Sequence, residues 1–151
     1  MMRDALFKRL EPELKEKFEW YFSRVRDKWV DPTKNNILWL HDTFNLIYHT
    51  TPHRGLEVLV PVIDFLANKG KKIHLDVYSS FKMYGWENRD EPYQKVFDKI
   101  KAHDNMTYHG YQPNDVIRKA LKKAHMFSYP NIWPETSCIA MIEAMLSLIH
   151  I

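Results

Sequence analysis

Cysteine is almost missing from this chain of 151 residues. Cys138 stands alone, so no internal disulfide can form, and a reducing compartment is expected. Glycine is nearly as scarce: four residues are too few for a flexible linker. Patterns of the type Gly-x-x-x-x-Gly-Lys, Gly-x-Gly-x-x-Gly and Gly-x-Ser-x-Gly are all absent, which removes the familiar Gly-rich phosphate cradles and the nucleophile elbow. No apolar run approaches the roughly 20 residues needed to span a bilayer. Met1–Arg9 lacks the apolar core of a signal peptide, so a cytoplasmic protein is expected. A net charge of +3 suits an anionic small ligand but falls far short of a nucleic-acid-binding stripe. The eight histidines form no Cys/His cluster, and there is no Asp-x-Asp to hold a divalent ion on a diphosphate. A metal site is therefore not expected.

What is present reads as one ordinary globular domain, 45% hydrophobic and 27% charged, long enough to bury a core. Aromatics are plentiful at 14%, with five Trp that suggest large buried or ligand-facing rings. Residues 4–29 repeat apolar side chains at three- and four-residue steps (Leu6, Leu10, Leu14, Phe18, Phe22, Val25), the period of a helix. Its basic residues read as a solvated face, with a membrane-surface helix as the alternative. Ile37–Leu40 and Leu46–Tyr48 read as buried strands. Five residues separate them, enough for a hairpin but not for a parallel crossover.

From Leu46 onward the pattern is regular. A strand ending at His49-Thr-Thr-Pro52 leads to a helix near Arg54–Asn68, which Pro61 should kink or start late and Gly70 should stop. Ile73–Tyr78 alternates as a strand, and a loop over Ser79–Asp90 leads to a helix near Glu91–Ala102. Met106–His109 is a strand, Pro113–Lys123 a helix, and Ala124–Tyr129 a strand entering a last helix. Four alternations predict a parallel α/β sheet of Rossmann type with helices on both faces, preceded by the N-terminal helix. Ligands of such sheets bind beyond the carboxyl ends of the strands. Those loops hold His49–Arg54, Ser79–Trp86, Gly110–Gln112 and Asn131–Glu135.

Chemistry concentrates in the last of these loops. Glu135 and Glu143 lie eight residues apart and so cannot share one face of a continuous helix. The easier geometry leaves Glu135 at or before the helix N-terminus, beside the free N–H groups where phosphates also bind, with Glu143 two turns in. Such a pair suits a nucleotide sugar; alone it reads sooner as capping and surface charge than as a site. Arg54 opens a helix directly after a strand, with Thr50, Thr51 and Gly55 beside it. A guanidinium there matches a diphosphate, and Gly55 would permit close backbone approach. Ser79 and Ser80 end a strand and can donate to phosphate or sugar oxygens, or simply cap a turn. Gly110-Tyr111 can set a ring against a base.

Taken together and in order, Thr51-Pro-His-Arg-Gly-Leu56, Met106-Thr-Tyr-His-Gly-Tyr111, Leu121–Pro130 and Glu135-x7-Glu143-Ala-Met resemble the C-terminal, donor-binding domain of retaining GT-B glycosyltransferases. The family is "glycosyl transferases group 1", and the likeness runs over about Leu46–Met145. The resemblance implies that Arg54 contacts the diphosphate and stabilises leaving-group charge, and that Glu135 lies at the donor sugar. It places the backbone amides of Thr136, Ser137 and Cys138 near the phosphates, Glu143 on the ribose hydroxyls and Tyr111 by the base. Thr51, Gly55 and Ser79 complete the implied donor site. The family needs no metal and no cofactor, the nucleotide sugar being a substrate; its acceptors are sugars, lipids or proteins, with peripheral membrane contact left open.

Family enzymes carry two Rossmann-like domains. Residues 1–45 are too short for the acceptor domain and are expected to be a helix plus a remnant strand of one. Residues 46–151 are then a donor domain truncated at its C-terminus, with Leu146–Ile151 a foreign tail, and catalysis by this chain alone is not expected. The rival expectation is a non-catalytic α/β module binding a nucleotide or a protein; a flavodoxin-like flavin site is a third.

Overall fold

The computed structural model describes residues 43–147. The expected helix over 4–29, the strand at Ile37–Leu40 and the last residues of the tail lie outside the described residues.

Among the described residues, four parallel strands form one sheet: β1 (Phe44–Tyr48), β2 (Ile73–Val77), β3 (Met106–Tyr108) and β4 (Met126–Phe127), in the order β3-β2-β1-β4. β1 pairs with β2 from Phe44↔Ile73 to Tyr48↔Val77, and on its other side with β4 through Leu46↔Met126 and Ile47↔Phe127. Four helices follow the strands: α1 (Leu56–Asn68), α2 (Gln94–Lys101), α3 (Asn114–Leu121) and α4 (Ile139–Leu146). The chain steps outward from β1 to β3 and then returns past both strands to β4. Right-handed crossovers place the helices of the outward steps on one face and that of the return on the other. Packing agrees, since α1 contacts α2, whereas Ile117 and Leu121 of α3 and Ala144 of α4 share a core with Ile47 and Phe127.

This explains why the strands look different in sequence. β1 is central and covered on both faces, so its residues form a nearly continuous apolar run. In β2, Ile73, Leu75 and Val77 are buried while His74 and Asp76, on the alternate face, are half-exposed.

α1 corrects one expectation. Of the two outcomes expected at Pro61, the delayed start does not occur: the proline sits inside one continuous helix. Proline removes the donor for the carbonyl of Glu57. Both residues lie on the exposed side, where water can take over that bond. After Asn68 the chain turns through Gly70 at φ 72, whose N–H bonds the carbonyl of Ala67 at 2.8 Å. The last helix begins at Ile139, so Glu143 lies one turn from its N-terminus and not two. The loop is longer than expected because Cys138 forms the cap, its Sγ accepting the N–H of Met141 at 3.4 Å.

Candidate functional site

The order of the strands reverses between β1 and β4, and the crevice at the carboxyl ends of those two is where open α/β sheets place ligands. Two segments leave the sheet there. After β1, His49-Thr50-Thr51 enters a single tight turn at Pro52–Arg54, then Gly55 and α1. The carbonyl of Thr51 anchors that turn by accepting the Tyr48 hydroxyl at 2.8 Å and the N–H of Arg54 at 3.2 Å. After β4, residues 128–138 loop over to α4.

Gly55 joins the two segments. It holds φ 108, and a Cβ built there would lie 2.0 Å from the carbonyl oxygen of Pro130. The close backbone approach expected of this glycine is therefore an approach of the chain to itself. It sets Arg54 beside the β4–α4 loop, where its guanidinium pairs with Oε1 of Glu135. The same Nη1 donates to the Tyr129 hydroxyl at 3.4 Å, and that hydroxyl donates to Glu135 Oε1 at 2.9 Å. The pair is largely withdrawn from water, with side-chain exposures of 22% for Arg54 and 9% for Glu135. Burial and the neighbouring Cys138 push the Tyr129 phenol well up, so it stays a protonated donor. Arg54 Nε and Glu135 Oε2 have no partner among the described residues.

Beside this pair opens a cleft of about 340 Å³, a volume suited to a small molecule. His49, Thr50 and Arg54 contribute from the β1 side; Tyr78, Ser80, Met83 and Tyr84 from the end of β2 and its loop. Tyr111, Gln112 and Asn114 come from the entry to α3, Ser137 from the loop before α4, and Ala140 and Glu143 from α4. Of the residues expected from sequence, Arg54, Tyr111, Ser137 and Glu143 are brought together in the lining. Glu135 adjoins it through Arg54. Thr51 and Ser79 are buried just behind, with hydroxyls unpartnered among the described residues, while Thr136 is exposed and Cys138 caps α4. Ser80, weighed with Ser79 from sequence, lines the cleft and is fixed by Asp90, whose Oδ2 accepts its hydroxyl at 2.5 Å.

Sequence reasoning placed His49 and Gln112 in ligand-facing loops without giving them a role, and overlooked Tyr78 and Asn114. For His49 a signal existed: it is the first residue past the central strand. Its side chain is 3% exposed, its ring packs 4.7 Å from that of Phe127, and its Nδ1 lies 4.0 Å from Oε2 of Glu143. Burial holds its pKa down at about 4, against an ordinary 6.5, so the ring is neutral and the contact is no ion pair. His53 is held down likewise, by burial and then by Arg54.

A pH dependence follows. The folded pKa of His49 lies below the unfolded one, so the unfolded chain takes the proton first. The stability contribution is complete above about pH 6.5 and is lost as the pH falls toward 4. Over that window the loss is on the order of 3 kcal/mol. Urea unfolding at several pH values should show this slope in the wild type and a flatter one in His49→Phe. Equal slopes would remove His49 as the cause.

Among the described residues no three His, Cys, Asp or Glu side chains converge as a metal-binding group, and no helix is long and apolar enough to cross a membrane. No protein-family model and no curated protein matches the sequence. A similar solved structure is that of Anabaena Alr3699/HepE in complex with UDP and glucose, with a TM-score of 0.53 and 15% sequence identity. The match covers 70% of this chain and 28% of that one, so the chain spans about a quarter of that protein's length. At this identity the likeness is one of fold, a Rossmann-like parallel α/β sheet.

Proposed function

We propose that this chain is the donor-binding part of a metal-independent, retaining GT-B glycosyltransferase of the group 1, Glu-x7-Glu type, acting in the cytoplasm. It binds a nucleoside-diphosphate sugar whose sugar passes to an acceptor. The observation that carries this reading is the cleft at the strand-order reversal, which gathers Arg54 from one side of the crevice and Glu143 from the other. A guanidinium and a carboxylate so placed suit the two polar ends of a nucleoside diphosphate: phosphates accept, ribose hydroxyls donate. The solved HepE complex lends support, since UDP and glucose are the two halves of one nucleotide sugar.

In this reading Arg54 binds the diphosphate and stabilises charge on the leaving group, where electrostatic catalysis is largest. Glu135 lies at the sugar, and Ser137 with the amides of Thr136 and Cys138 meets the phosphates at the start of α4. Glu143 takes the ribose, Tyr111 lies by the base, and Thr51, Gly55 and Ser79 support the donor site. The rival reading is a non-catalytic module that binds a nucleotide in the same cleft.

Calorimetric titration with UDP, GDP and ADP tests both. At least one should bind, and Glu143→Ala should weaken it about tenfold, the worth of a lost charge-assisted hydrogen bond. Where transfer from a nucleotide sugar is measurable, Arg54→Ala should slow turnover more than it weakens binding. Absence of binding by all three nucleotides would end the transferase reading; binding without transfer would favour the module.

A further inference from the structure

Among the cleft residues to which the proposed donor site gives no role, His49 carries a buried ring nitrogen without a partner. Its side chain is 97% buried by the 3% exposure above, yet it lines the cleft, and its Nε2 has no partner among the described residues. A buried nitrogen left unpaired is costly, so one that persists beside an open cleft calls for an explanation. Packing alone does not supply it: the ring lies against Phe127, where a phenyl group would fill the same space with no polar atom to satisfy.

We propose that His49 is a specificity residue that donates a hydrogen bond to the ribose diol of the bound nucleotide, beside the accepting carboxylate of Glu143. The inference rests on the nucleotide-sugar reading of the same cleft. Its chemistry follows from what each group can do. A carboxylate only accepts, so Glu143 can accept hydrogen bonds from hydroxyls but leaves their inward lone pairs unpaired. A neutral imidazole offers one donor and one acceptor, which is the complement a hydroxyl still lacks. His49 and Glu143 stand in reach of one diol, with Nδ1 and Oε2 4.0 Å apart and no bond between them. Arg54 reaches the cleft independently and holds the phosphate end.

The test compares UDP, GDP and ADP with their 2′- and 3′-deoxy analogues by calorimetry on the wild type, His49→Phe and His49→Gln. The wild type should prefer the best ribonucleotide over one or both deoxy forms by about 30-fold, and His49→Phe should cut this to about threefold, one hydrogen bond's worth. His49→Gln, which restores an amide donor, should recover part of the preference and guards against a folding artefact. Pyrophosphate affinity should be equal in all three proteins. Undiminished ribose preference in His49→Phe overturns the role of His49 while leaving the donor site standing. No binding of any nucleotide by the wild type brings down the donor site and His49's role with it.

Discussion

Replacing Gly55 by alanine is expected to cost about 2–5 kcal/mol of folding stability, a large share of the total for a domain of this size. Two costs add. The left-handed backbone at φ 108 penalises any Cβ by about 1–2 kcal/mol. The new methyl would also stand 2.0 Å from the Pro130 carbonyl oxygen and 2.9 Å from its carbon. Both are backbone atoms, which cannot rotate away as a side chain could, and forced overpacking of this kind costs about 1–3 kcal/mol. Gly70 provides the control, with φ 72 but no atom within 4 Å of its would-be Cβ. Gly70→Ala should lose only the backbone part. Urea unfolding followed by tryptophan fluorescence measures both variants, and equal losses would show that the contact with Pro130 does not matter. Any Gly55 substitution that does fold should displace Arg54 from Glu135, because this glycine brings their two segments together.

The second large effect concerns that pair. Arg54→Met should destabilise the protein by on the order of 3 kcal/mol, chiefly because it strands the Glu135 carboxylate in a site that is 9% exposed. Glu135→Gln should cost less, since Tyr129 can still donate to the amide oxygen and Arg54 keeps a partial path to water. The double variant Arg54→Met/Glu135→Gln should be more stable than the sum of the single losses predicts, the coupling being about 1–3 kcal/mol. Strict additivity in the thermodynamic cycle would mean that the pair contributes nothing in solution. The same pair bears on function. An internal carboxylate pairs with the guanidinium that the proposed function assigns to a diphosphate, so a bound phosphate would compete with Glu135 for Arg54.

Much of this was legible in the chain. The four strands and the helices between them declare themselves through period and punctuation, and each expected strand from Leu46 on is found within a few residues. The parallel arrangement followed from alternation alone, because strand and helix in turn leave little else to build. Misreadings have local causes. A delayed start of α1 at Pro61 was one expectation, but a proline removes one bond, and the exposed face of the helix tolerates that. The start of α4 was placed a turn too early because a cysteine makes an unusual cap.

By itself, the sequence determined the α/β layering, the loops that carry polar chemistry, and the candidacy of Arg54, Tyr111, Ser137 and Glu143. These depend on neighbours along the chain, where periodicity and turn residues act over a few positions. Only the tertiary structure decided which loops meet. It placed β4 beside β1, closed Gly55 onto Pro130, turned Glu135 toward Arg54, and buried His49 in neutral form next to Glu143. Those contacts join residues 75 to 94 positions apart. No local pattern encodes them, because they follow from packing two faces of one sheet and from the reversal of strand order between β1 and β4.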